Sequence, residues 1–155
     1  MVPGLSIRRM FDLQDPALGG ADFDYADCFE MRAAAPEERS MESLARAALE
    51  DVPLVLRGVI LVAHRFILRF RLGPLSSAEH VLGWRIVTSA PDHVVLEADG
   101  PLIRGVMVGR NTGPSVTVLR TFVMYRQPAA RHVWSVVGVL HRRVAPYLLR
   151  RAAAG

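Results

Sequence analysis

The sequence predicts a single α+β domain in which a curved antiparallel sheet packs on a long C-terminal helix. Three observations carry this. Four segments of alternating apolar and polar residues occupy the second half of the chain and are joined by short turn sequences, as in an antiparallel meander. The last of them runs through Gln127-Pro128 into an amphipathic segment, Ala129–Ala152, whose apolar stripe must bury against something, and the preceding sheet is the available partner. With 155 residues, about half of them apolar, the chain suits one core and would be strained by two.

Met1–Gly20 reads as an irregular lead-in, broken by Pro3-Gly4, Asp15-Pro16 and Gly19-Gly20. In Phe23–Met31, the residues Phe23, Tyr25, Asp27, Phe29 and Met31 alternate with Asp24, Ala26, Cys28 and Glu30, which predicts a strand. Ser40–Glu50 places Met41, Leu44, Ala45, Ala48 and Leu49 at helical spacing behind a serine cap. Asp51-Val52-Pro53 ends that helix and starts a second, with proline in its first turn. Leu54–Phe70 fits two periods; it is read as a helix to about Leu61 and extended chain beyond.

After Gly73-Pro74 and a connection over Ser76–Leu82, strands are expected at Gly83–Thr88, Asp92–Ala98, Leu102–Arg110 and Ser115–Tyr125. Their separators, Ala90-Pro91-Asp92, Asp99-Gly100-Pro101 and Asn111-Thr112-Gly113-Pro114, are turn chemistry. In the final helix Val133, Val137, Leu140, Val144 and Leu148 form the expected buried stripe. Pro146 inside it removes a backbone donor and crowds the Arg142 carbonyl, which predicts a kink.

Composition excludes several function classes. All 19 basic residues are arginine, a pattern of codon usage in a GC-rich genome, and the net charge is only +4. The arginines are scattered rather than clustered with stacking aromatics, so no nucleic-acid partner is expected. One cysteine, Cys28, forbids an intramolecular disulfide and any Cys-rich metal site. Leu54–Phe70 is the most apolar stretch, but Arg57, His64, Arg65 and Arg69 disqualify it as a membrane span. No secretory signal is recognisable near Met1–Met10, and a cytoplasmic location is expected.

Asp24-Tyr25-Ala26-Asp27, Leu82-Gly83-Trp84-Arg85-Ile86, Thr121-Phe122-Val123 and Val133-Trp134, followed by the run Leu140–Leu149, resemble the SRPBCC (START/Bet v 1-like) superfamily, in particular its bacterial DUF2867-like branch. The order of strand, helix pair, meander and long helix is similar to the helix-grip architecture of that superfamily. The resemblance implies a cavity between sheet and last helix for a small hydrophobic molecule, bound non-covalently and without a cofactor. It also admits two other functions: an enzyme of the polyketide cyclase or dehydratase type, and a module with a collapsed cavity that meets a protein or a membrane surface. The usual seven strands are not all visible; five are, or six if Val62–Phe70 is extended.

Seven residues are candidates for ligand contact. His141, beside Arg142 and Arg143, stands at the edge of the buried stripe, but no nucleophile motif accompanies it. Arg104 and Arg120 share strand faces with Val106, Val108, Phe122 and Met124, and would hold an anionic end of the ligand if that face lined the cavity. A one-residue slip of the hairpin around Asn111–Pro114 reverses this. Trp84, Phe122, Tyr125 and Trp134 complete the set as aromatic wall residues. Asp22, Asp24 and Asp27 lack the glycine and glutamate of a calcium loop, and the five histidines show no zinc spacing, so no metal is expected.

Overall fold

The computed structural model describes residues 4–155, so the first three residues of the lead-in lie outside it. It is an α+β fold built on an eight-stranded antiparallel sheet in the order β1-β2-β8-β7-β6-β5-β4-β3. The strands are β1 (Ser6–Met10), β2 (Tyr25–Arg32), β3 (Ser76–Ser77), β4 (His80–Val81), β5 (Trp84–Ala90), β6 (His93–Asp99), β7 (Ile103–Gly113) and β8 (Val116–Tyr125). The helices are α1 (Met41–Leu49), α2 (Leu54–Val62) and α3 (Ala129–Ala154). Both the long C-terminal helix and the four-strand meander are as the sequence predicts.

β2 and β8 are neighbours although they are far apart in sequence, and their pairing fixes the faces of the sheet. Tyr25, Asp27, Phe29 and Met31 stand opposite Val123, Thr121, Leu119 and Thr117. On β7 the same side carries Ile103, Gly105, Met107 and Gly109, paired with Tyr125, Val123, Thr121 and Leu119. This concave face, with α1, α2 and α3 laid against it, forms the main core. The opposite face carries Ala26, Val95, Val106, Val108 and Phe122, a second small core covered by Leu13 and Leu18.

That covering corrects the reading of the lead-in as irregular. Ser6–Met10 adds β1 to the free edge of β2, with Ile7 opposite Met31. A short turn at Pro16–Leu18 is capped by Asp15, whose carboxylate accepts from the Ala17 amide. The same carboxylate is fully buried and accepts from Arg110 at 2.9 Å and Arg120 at 3.1 Å. Burial alone would push Asp15 up, but the Arg110 and Ala17 hydrogen bonds and the two guanidinium charges outweigh it and hold the carboxyl below its ordinary range.

Three other expectations change. The segment after Leu61 is not extended: α2 passes into a wider π turn, Ala63–Ile67, which ends at Arg69 in the left-handed region (φ 60°). A Cβ at Gly100 would collide with the Arg69 carbonyl, so the Asp99-Gly100-Pro101 turn requires glycine to let this segment pass. Ser76–Leu82 contributes the two-residue strands β3 and β4, which brings the count to eight. In α3 the deeply buried residues are Ala130, Trp134, Gly138, Ala145, Leu148, Leu149 and Ala152, while Leu140 is 45% exposed. Of the expected stripe only Leu148 is deeply buried; Val133, Val137 and Val144 are half-buried, and the N-terminal two-thirds of the buried face uses small residues and Trp134. α3 stays helical through Pro146.

Candidate functional site

Between the concave face, α1, the α2–π segment and α3 lies a cavity of about 150 Å³. Its walls are overwhelmingly apolar: Met41 and Leu44 of α1, Phe70, Leu96 of β6, Met107 of β7 and Leu119 of β8 contribute. Gly105 and Gly109 of β7 bring bare backbone to this wall, and the space their side chains would take is filled by neighbours, Trp84 and Phe70 over Gly105 and Val94 over Gly109. A Cβ at Gly105 would sit 2.8 Å from the Trp84 ring, so the indole can come this close to the strand only because glycine is there.

One end of the cavity is polar. Trp134 and His141 project from the same side of α3, two helical turns apart, with their rings 5.5 Å from each other. His141 Nε2 comes within 2.9 Å of Asp27 Oδ2, and the Tyr25 hydroxyl donates to the same oxygen at 2.7 Å. Arg142 Nη1 donates to the Tyr25 oxygen at 3.3 Å. Burial, reinforced by Asp27, pushes the Tyr25 phenol up to about 12 against the counteracting Arg142, so Tyr25 acts as a neutral donor.

This cluster leaves hydrogen-bonding capacity unused. Despite its 2.9 Å approach, the His141 N–H is not aligned on the carboxylate. Nε2 of His141, Nε1 of Trp134, Oγ1 of Thr121 and Oδ1 of Asp27 are all buried without an aligned partner among the described residues. Three of these four atoms belong to residues that line the cavity. A buried polar atom left unpaired costs about 1–3 kcal/mol, so their grouping at one end of an apolar void requires a reason.

The π turn also turns His64 into the cavity wall. Part of the residue reaches the surface, but its ring is walled by Phe70 and Trp84 at 5.8 and 5.6 Å. His64 Nδ1 accepts from Trp84 Nε1 at 3.2 Å, which leaves the ring proton on Nε2. Burial, and secondarily the charge of His141, lower His64 from 6.5 to about 4. The unfolded chain therefore takes up a proton that the native state refuses, so stability is full above 6.5 and falls as the pH drops toward 4. The wild type is expected to lose roughly 3 kcal/mol more over this range than His64→Gln, which keeps an acceptor for Trp84 but does not titrate. Urea unfolding at a series of pH values checks this; parallel profiles for the two proteins would contradict it.

The candidate residues divide among three places. Trp84, Trp134 and His141 line the cavity, and His141 sits nearer its centre than its expected place at the stripe's edge. Arg104, Arg120 and Phe122 do not line it, because the β7–β8 register puts them on the opposite face. There Arg104 pairs with Glu97, Arg120 with Asp12 and Asp15, and Phe122 packs against Phe23. Tyr125 borders a separate surface crevice with Asp24, Arg126 and Arg131. Sequence reasoning missed Tyr25, Asp27, His64 and Thr121. For Asp27 a signal existed: it is the one carboxylate on the apolar face of the Phe23–Met31 alternation.

No protein-family model, curated protein or solved structure matches this chain. No group of side chains among the described residues is arranged to hold a metal ion.

Proposed function

We propose that the protein binds a small, mostly apolar molecule carrying one neutral hydrogen-bonding group, held between the sheet and α3 in the manner of a helix-grip domain of the SRPBCC type. The pairing of β2 with β8 around an inserted helix pair, with the long helix closing the concave face, supports that architecture. The observation that carries the function is the cavity itself, apolar except at the end where Thr121, Trp134 and His141 present unpaired polar atoms. A ligand hydroxyl or carbonyl placed there would satisfy groups that otherwise remain unpaired, while its apolar body gains from leaving water.

Size narrows the class. A cavity of about 150 Å³ matches those that take up a single benzene-like ring. It is smaller than the roughly 300–1,000 Å³ of sites for drug-sized ligands. Sterols and long lipids are therefore disfavoured unless the helices part. An anionic end is disfavoured too, since Arg104 and Arg120 are engaged with carboxylates on the other face.

Thermal unfolding with single-ring probes tests the reading. Phenol is expected to stabilise the protein more than toluene at equal concentration, and by about 2.7 kcal/mol at a hundredfold excess over its Kd. His141→Ala should narrow the difference between the two probes. Absence of stabilisation by any ring-sized probe would count against the proposal.

A further inference from the structure

The α2–π segment turns a row of large apolar side chains away from the protein. Val55, Val59, Val62 and Phe66 recur at helical spacing and are 82%, 46%, 51% and 68% exposed. Leu54 and Ile67, at 83% and 47%, extend the row at both ends. Scattered exposed apolar residues are ordinary, but a contiguous stripe along one short element marks a contact surface.

The charges around this stripe indicate what it meets. From Val52 to Ala78 there is no carboxylate, while Arg57, Arg65, Arg69 and Arg71 all lie there. Among the described residues none of these four forms an ion pair, whereas Arg8, Arg32, Arg85, Arg104, Arg110 and Arg120 on the sheet each do. α3 likewise has no acidic residue and exposes Val136, Val139, Leu140 and Tyr147. Leu140 also belongs to the cavity wall, as do Ile60 and His64 of the α2–π segment, so both elements border the same cavity.

We propose that the α2–π face docks on an anionic lipid surface, with its apolar stripe in the headgroup–acyl boundary and its arginines at the phosphates. No helix among the described residues is long and apolar enough to cross a membrane, so the contact is interfacial. Long arginine stems reach from an embedded backbone to the headgroups. A second copy of the chain fits the face poorly, because a two-fold contact would set arginines against arginines with no carboxylate between them. The proposal does not depend on what the cavity holds.

Flotation of the full chain with two kinds of vesicle tests it: phosphatidylcholine alone, and phosphatidylcholine with phosphatidylglycerol in equal parts. Binding is expected to the anionic vesicles, to weaken as salt is raised, and to fall about tenfold or more in Phe66→Asp and in Arg65→Glu. Phe11→Asp, which adds the same charge at a phenylalanine that is more exposed still but outside the patch, should bind as the wild type does. Circular dichroism of each variant separates lost docking from lost folding. No binding to anionic vesicles overturns the proposal, as does equal binding by wild type and Phe66→Asp. Self-association abolished by Phe66→Asp, without vesicle binding, assigns the face to a second copy and overturns it as well.

Discussion

Asp27→Ala is expected to lower the free energy of unfolding by about 3–5 kcal/mol, the largest effect of any single polar substitution in this protein. The Asp27 side chain is fully buried, accepts from the Tyr25 hydroxyl and faces His141. Its removal takes the acceptor from the Tyr25 hydroxyl, strips the unaligned His141 Nε2 of the carboxylate beside it, and opens a small void next to both. The loss is expected to be non-additive. Combining Asp27→Leu with Tyr25→Phe and His141→Leu removes the three buried polar groups at once, and should cost less than Asp27→Ala alone because the one partner left over among the described residues is the half-buried Arg142, which loses one 3.3 Å hydrogen bond to Tyr25. Urea denaturation of the single and triple variants makes the comparison. A triple variant that is as unstable as the sum of its parts would show that these residues contribute by packing alone.

Asp15→Ala is expected to cost roughly 3 kcal/mol, for a different reason. Among the described residues the carboxylate is the one buried counter-charge paired with Arg110 and a shared one for Arg120, whose side chains are 22% and 11% exposed. It also caps the turn that holds Leu13 and Leu18 over Phe122. Losing it leaves buried guanidinium charge uncompensated and frees the lead-in from the outer face of the sheet. Limited proteolysis should therefore cut the variant between Asp12 and Phe23 at concentrations that spare the wild type, and a protected lead-in would contradict this. Because the folded-state carboxyl lies below the ordinary 3.8, its contribution is full above that pH and disappears as the pH falls through the lowered value. His64 contributes in the same direction but over a higher range, between 6.5 and about 4, so acid destabilisation should proceed in two stages.

How far the sequence could be read depended on the kind of signal. Alternation and turn chemistry located the meander to within a few residues, because each strand has one buried and one less buried face and its ends are marked by Pro, Gly, Asp and Asn. The serine-capped α1 and the long α3 were legible for the same local reasons. What was not legible was set by pairing. β1 is five residues long with two arginines, and it is a strand only because the edge of β2 is free to receive it. β3 and β4 are too short to carry any period. The faces of Arg104 and Arg120 hung on a register that no local feature of Asn111–Pro114 determines.

The site divided similarly. Trp84, Trp134 and His141 were visible as aromatic and polar exceptions on otherwise apolar faces. Asp27 was visible as a residue but not as a partner, since its meaning comes from His141, more than a hundred positions away, which only the β2–α3 packing brings to 2.9 Å. His64 depended on a π turn that shifts the helical phase, so neither of the two periods weighed for Leu54–Phe70 could place it.

The central claim is that the cavity between the sheet and α3 takes up a small molecule. Trp84 and Trp134 are the chain's only two tryptophans and both line that cavity, so intrinsic emission reports its occupancy directly. The decisive measurement is quenching of this emission by a small brominated alcohol, in the wild type and in a variant whose cavity is filled by Ala48→Leu with Leu119→Phe. Saturable quenching in the wild type, reduced to a shallow linear dependence in the filled variant, is the predicted result. Linear quenching of equal slope in both proteins would mean that the cavity admits no ligand, and would contradict the account.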